Sequence, residues 1–272
     1  MHRLFLICIV SFLSCSCGTS VTRETPSSSP GAAEPATLSF TVVNLFPHDT
    51  SSFTEGFLVH EGQLYESTGH TEEYPDSRSL FGVVDLKTGK IQPKVELDKN
   101  KFFGEGISFL NGKVYQLTYT EKIGFIYDAR TFKKIGEFGF PSKEGWGMTT
   151  DGSYLIMSDG SSNISYLDPS NFRLVKIVGV NDINGYANNI NELEFIDGYI
   201  YANQYQTNNI LKIDPESGKI LGKANFDNLK TEVKNKYSGA IDMNGIAYDS
   251  ATRKIYITGK KWPTIYEIKF NN

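Results

Sequence analysis

Short apolar runs separated by glycine- and aspartate-containing turns fill most of this chain, and from residue 53 onwards the pattern repeats. Five segments share one outline: a Glu-Gly or Asn-Gly pair (Asn-Glu in the fourth), an apolar stretch, a Gly turn, then a strand ending in Tyr or a small polar residue. They are FTEGFLVHEGQLYESTG from Phe53, FGEGISFLNGKVYQLTY from Phe103, EGWGMTTDGSYLIMSDG from Glu144, NELEFIDGYIYANQY from Asn191 and MNGIAYDSATRKIYITGK from Met243. Four continue into a third strand and a tight turn: VVDLKTGK (83–90), FIYDARTFKK (125–134), ISYLDPSNFRL (164–174) and ILKIDPESGK (210–219). Asp at the head of such a turn caps its own backbone, and Gly near its end accepts a positive φ.

The five starts lie 50, 41, 47 and 52 residues apart, close to the period of propeller blades. Each unit offers about four short strands, the content of one blade. The fifth unit stops after TIYEIKF (264–270), one strand short. LSFTVVNLF (38–46) at the other end of the domain can supply it, and closing the ring removes the open sheet edges that invite aggregation. The expectation is an all-β, five-bladed β-propeller closed by an N-terminal strand. A β-sandwich also uses many short strands but does not explain the repeat.

Composition fits many short strands and tight turns: 25 Gly, 15 Tyr and 18 Phe in 272 residues. With 27 Lys+Arg against 31 Asp+Glu, the chain has no basic stripe, and nucleic acid is excluded as a partner. All three cysteines, Cys8, Cys15 and Cys17, precede residue 18. His2 and Arg3, the apolar run Leu4 to Leu13, and the small residues that follow read as a signal peptide over 1–17, too short to span a bilayer. A cysteine after small residues resembles a lipobox, with Cys17 or Cys15 as the lipidated residue. The protein is therefore expected to be exported to the cell envelope, a monomer held at the membrane only through a lipid anchor. Residues 18–37, rich in Ser, Thr, Pro and Ala, read as a flexible tether, which leaves 38–272 as the folded, cysteine-free domain.

A propeller gathers the starts of its innermost strands around a central channel, so the repeated corners should converge there. Glu55, Glu105, Glu144, Asn191 with Glu192, and Asn244 stand at those corners, beside Phe53, Phe103, Trp146, Tyr119 and Tyr205. Aromatic walls with a few carboxylates and amides suit a small polar or cationic group. The plainer reading of any one corner is that Gly permits the turn while Glu or Asn caps backbone amides. Of four histidines (His2, His48, His60, His70) none has metal-ligand spacing, and no nucleophile elbow, phosphate loop or dinucleotide fingerprint occurs. His48-Asp49 reads as a structural corner. By elimination, catalysis would fall to a carboxylic acid helped by aromatics, amides and Lys260.

In order, HDTSSFTEGF (48–57), YESTG (65–69), FFGEGIS (102–108), QLTY (116–119), EGWGMTTDG (144–152), NELEF (191–195), MNGIAYD (243–249) and ITGKKWP (257–263) resemble the plant and bacterial type of the glutamine cyclotransferase family. The likeness spans 40–270. It implies a five-bladed propeller that converts the N-terminal glutamine of peptides or proteins to pyroglutamate, releasing ammonia, with no metal or other cofactor required. Whether a structural ion sits in the channel is left open. The resemblance makes Glu105 the proton-transferring residue, lines the pocket with Phe53, Glu55, Phe103 and Trp146, and gives Asn191 and Lys260 a part in substrate binding or site order. Three residues depart from the family: Glu55 stands where it has Gln, and Tyr119 and Tyr205 stand where it has Trp. A carboxylate at 55 beside the substrate's ammonium would favour the charged, non-nucleophilic form of the amine. That concern keeps a non-catalytic, ligand-binding propeller as the alternative; a metal-centred propeller is more remote.

Overall fold

The β-branched and aromatic runs between turns form antiparallel meanders, and each meander closes one blade. The computed structural model describes residues 34–271; the expected signal peptide and its cysteines fall outside them. Blade 1 consists of Thr54–His60, Gln63–Thr68, Leu80–Val84 and Ile91–Glu96; blade 2 of Gly104–Leu110, Lys113–Thr118, Ile123–Asp128 and Lys134–Gly139. Blade 3 is Met148–Thr150, Leu155–Ser158, Asn163–Leu167 and Leu174–Gly179; blade 4 is Ile190–Ile196, Tyr199–Gln204, Asn209–Ile213 and Ile220–Asn225. Blade 5 takes Met243–Asp249, Lys254–Gly259 and Thr264–Phe270 from the C-terminal end, and its outer strand is Phe40–Pro47. That closing strand runs antiparallel to the last one, from Phe40 opposite Phe270 to Pro47 opposite Thr264. The five-bladed propeller expected from the repeat is the fold.

Alternation along each strand turns one set of side chains towards each neighbouring blade, so the core is divided among the interfaces. Leu58, Phe81, Ile107 and Phe125 pack between blades 1 and 2, and Leu117, Phe138, Met148 and Leu155 between blades 2 and 3. Ile164, Leu193, Ala202 and Leu211 fill the next interface; Ile246, Ile257, Trp262 and Tyr266 meet blade 4 at the one after. Phe57, Leu64, Ala247 and Ile265 close the ring between blades 5 and 1.

Besides the small hairpin of Asn181–Asp182 and Gly185–Tyr186, two elements lie outside the repeat among the described residues. Helix Asp227–Lys236 connects blades 4 and 5 and buries Leu229 and Val233. Ala36–Thr37, inside the stretch expected to be tether, pairs in parallel with Gly222 and Lys223 of blade 4, so regular structure begins two residues before the expected domain start. His48 is buried where the closing strand meets blades 1 and 5. Its Nδ1 lies 2.8 Å from the Trp262 carbonyl, and its Nε2 lies 3.1 Å from both Glu66 oxygens. Thr54 Oγ1 donates to the same carboxylate at 2.7 Å. This agrees with reading His48-Asp49 as a structural corner.

Candidate active site

Local irregularity at the inner strands points the polar residues inwards. In blades 1, 2, 4 and 5 the register between first and second strand slips at the corner: between Thr54 and Gly56, Gly104 and Ile107, Ile190 and Leu193, and Met243 and Ile246. A bulge of this kind re-aims side chains, and the residues inside these four are Glu55, Glu105, Asn191 with Glu192, and Asn244. The corner glycines let the next inner strand approach. A Cβ on Gly106 would lie 2.4 Å from Met148 N, and one on Gly147 would lie 2.2 Å from the Asn191 carbonyl. The equivalent position in blade 3 is therefore Trp146, directly before Gly147. Glu144, expected to face the channel, instead accepts a hydrogen bond from Trp146 Nε1 at 2.9 Å and lines a neighbouring cavity.

Nine of the twelve residues singled out around the channel from the sequence line one central cavity of about 370 Å³, and Glu144, Glu192 and Asn244 do not. Phe53, Glu55, Phe103, Glu105 and Trp146 enter from inner-strand starts, as does Asn191; Tyr119, Tyr205 and Lys260 enter from second-strand ends. His70 and Thr71 line it too, from the connection between the second and third strands of blade 1. Their polar run carries no periodicity that would have singled them out. Phe103 packs on Gly69, where a Cβ would sit 2.0 Å from the ring. Phe103 meets Phe53 edge-on at 6.0 Å and Tyr119 at 5.9 Å, while Trp146 meets Tyr205 edge-on at 5.5 Å. Both tyrosines thus keep an aromatic wall.

Three ionisable groups share the floor. Lys260 Nζ donates to Glu55 Oε1 at 2.6 Å and lies 4.6 Å from the centre of the Phe53 ring. Asn244 Nδ2 donates to Glu55 Oε2 at 3.1 Å. Burial pushes the Glu55 carboxyl up to about 7 while Lys260 pulls the other way. Glu105 is buried and its Oε2 has no partner among the described residues. Burial first, and the Glu55 carboxylate second, hold its pKa well above the usual range. Burial works against charge on Lys260, but Glu55 and Glu105 outweigh it, and Lys260 stays protonated. With two carboxyls and one ammonium, the pocket is one cation short when both acids ionise. Asn191 Oδ1 is a further buried acceptor without a partner among the described residues.

Hydroxyls behind the floor hold its main chain. Ser67 Oγ of blade 1 donates to the Glu105 carbonyl at 2.6 Å, and Ser158 Oγ of blade 3 donates to the Asn191 carbonyl at 2.7 Å. Glu192 reaches across the channel and accepts from the amides of Phe57 and Ile246 at 3.2 and 2.8 Å. No group of three His, Cys, Asp or Glu side chains with metal-binding geometry occurs among the described residues.

The family model of glutamine cyclotransferase matches residues 11–270. This chain belongs to the glutamine cyclotransferase family. It is 36% identical over 230 residues to a glutaminyl-peptide cyclotransferase of Arabidopsis thaliana, covering 84% of this chain and 70% of that protein. The crystal structure of Myxococcus xanthus glutaminyl cyclase superposes with a TM-score of 0.78 at 30% identity, over 88% of this chain and 99% of that one. A cyclotransferase pocket has to hold a glutamine side chain folded back towards its own α-amine, and an aromatic-walled cavity with acceptors on its floor suits that conformer.

Proposed function

We infer that the chain is a glutaminyl-peptide cyclotransferase acting on peptides or proteins with N-terminal glutamine. Beyond family membership, the observation that carries the mechanism is buried Glu105 with an unpartnered oxygen, among the described residues, inside a pocket that is one cation short once Glu105 ionises. An incoming α-ammonium supplies that cation. Its ordinary pKa is about 7.7–8.0, and a carboxyl raised by burial takes its proton at little cost. The transfer leaves a neutral, nucleophilic amine beside a protonated Glu105.

The amine nitrogen then attacks the γ-carboxamide carbon, forming the ring N–C bond, and the carbonyl oxygen gains negative charge. Lys260 and the Asn191 amide are the donors placed to stabilise that oxygen. Glu105 hands its proton to the amide nitrogen, the C–N bond breaks and ammonia leaves. The second proton of the attacking nitrogen returns to Glu105, which acts as base and acid in turn. Holding the two reacting ends of one residue together contributes as proximity does in any intramolecular reaction.

The concern about Glu55 is met by its partners: the carboxylate is spent on Lys260 and Asn244, and the substrate amine is not its nearest cation. With that, the observation behind a non-catalytic propeller falls away. We propose further that no metal takes part, so chelator-treated protein keeps its full rate of ammonia release from Gln-Ala. A protein that releases no ammonia from any Gln-initiated peptide would end this reading. The address belongs to the same proposal: export, with a lipid on Cys17 or Cys15. Wild-type protein that takes up no fatty-acid label would refute the anchor, and labelling that survives Cys15→Ser and Cys17→Ser together would refute those two sites.

A further inference from the structure

A peptide with its N-terminal glutamine in the central cavity must leave across the rim. Towards blades 3 and 4 that rim is the Trp146–Tyr205 pair, and behind it lies a second cavity of about 440 Å³ that shares both rings with the first. Lys143 and Glu144 come from the loop entering blade 3, and Asp159 from the turn between its second and third strands. Asn189 and Gln206 come from the same two places in blade 4. These are the loop positions that furnish the central cavity, so both cavities open on one face. The shared wall is fixed: the Trp146 ring lies on Gly160, where a Cβ would come within 2.6 Å, and Asn189 N donates to the Gly160 carbonyl at 3.0 Å.

The lining carries two carboxylates against one ammonium. Glu144 is engaged by Trp146 Nε1. Asp159 uses Oδ1 to accept from Ser161 N at 3.0 Å and from the Ser161 hydroxyl, and its Oδ2 has no hydrogen-bond donor among the described residues. We propose that this cavity is a subsite for the second and third residues of the peptide, and that it selects a basic side chain there with Asp159 as the charge partner. The proposal rests on the cyclotransferase reading of the central site.

The test compares kcat/KM for Gln-Ala-Lys with Gln-Ala-Glu, and for Gln-Lys-Ala with Gln-Glu-Ala, at low salt. The expected result is a preference of about three- to fivefold for lysine in at least one pair, the range of a partly exposed ion pair. The preference shrinks in about 0.5 M NaCl. Asp159→Asn brings the ratio towards one, and Asp159→Lys inverts it. Should neither variant fold, the wild-type ratio and its salt dependence decide. Equal turnover of each pair, or a preference for glutamate through Lys143, overturns the subsite while leaving cyclisation intact. Failure of every peptide, Gln-Ala included, would instead overturn the cyclotransferase reading beneath it.

Discussion

Lys260 and Glu55 are buried partners, with 9% and 3% of their side-chain surface exposed, and neither is comfortable alone. Removing one partner of a buried pair costs about 3–5 kcal/mol if the other stays charged. In Lys260→Met, however, Glu55 can take up a proton, because burial already pushes it to about 7 with the lysine present. A carboxyl raised in the folded state binds more protons there than in the unfolded chain, so stability falls as pH rises through the folded value. The variant should therefore lose little at pH 5 and progressively more through and above pH 7, as urea unfolding at several pH values would show. Adding Glu55→Gln should abolish the trend; a loss independent of pH would contradict the pairing. Activity should follow a bell-shaped profile by the same logic. Turnover needs one proton shared between the α-amine and Glu105, so kcat/KM falls at low pH, where both hold one, and at high pH, where neither does.

Within the blades, the corners were legible because a repeat places equivalent residues on equivalent bulges. Glu55, Glu105, Asn191 and Asn244 follow from that register, and the aromatics beside them from the same outline. The reason for the glycines was not legible. Gly106 and Gly147 are needed for the approach of the neighbouring inner strand, a contact between units that no single segment reveals. Ala at Gly147 should lower stability by ~2–3 kcal/mol through overpacking, read as a fall in thermal midpoint; an unchanged midpoint would refute the close approach. EGWG carries two glycines, Gly145 and Gly147, and only packing shows that the second is the repeating one, which is why Trp146 and not Glu144 faces the cavity. His70 and Thr71 lie in a polar connection whose eleven residues (69–79) follow no strand period. The helix 227–236 has only Leu229 and Val233 to bury, too faint an apolar stripe to stand out among strands.

The ring as a whole depends on its two ends meeting. Without Phe40–Pro47, the edge of Thr264–Phe270 would lie open, with the buried Ile265, Tyr266 and Ile268 beside it. A chain starting at residue 48 should therefore aggregate, whereas one starting at residue 34 should elute as a folded monomer on size-exclusion chromatography. Soluble, active protein from the shorter chain would show that closure is dispensable. His48 adds a pH term to the same joint. Burial lowers its pKa, but Glu66, the Trp262 carbonyl and Asp49 together more than offset that, and the net shift is upwards from 6.5. The joint is thus strongest below pH 6.5 and weakens as pH rises through the raised value.

Glu105→Gln shows whether this carboxyl moves the protons of cyclisation. Gln removes the titrating proton and keeps the shape, so circular dichroism and the thermal midpoint should match the wild type near pH 5. Ammonia release from Gln-Ala, followed together with the appearance of the pyroglutamyl product, should fall by about 10²–10⁴-fold, the span of a lost general acid–base. Turnover at the wild-type rate by the folded variant would contradict the account.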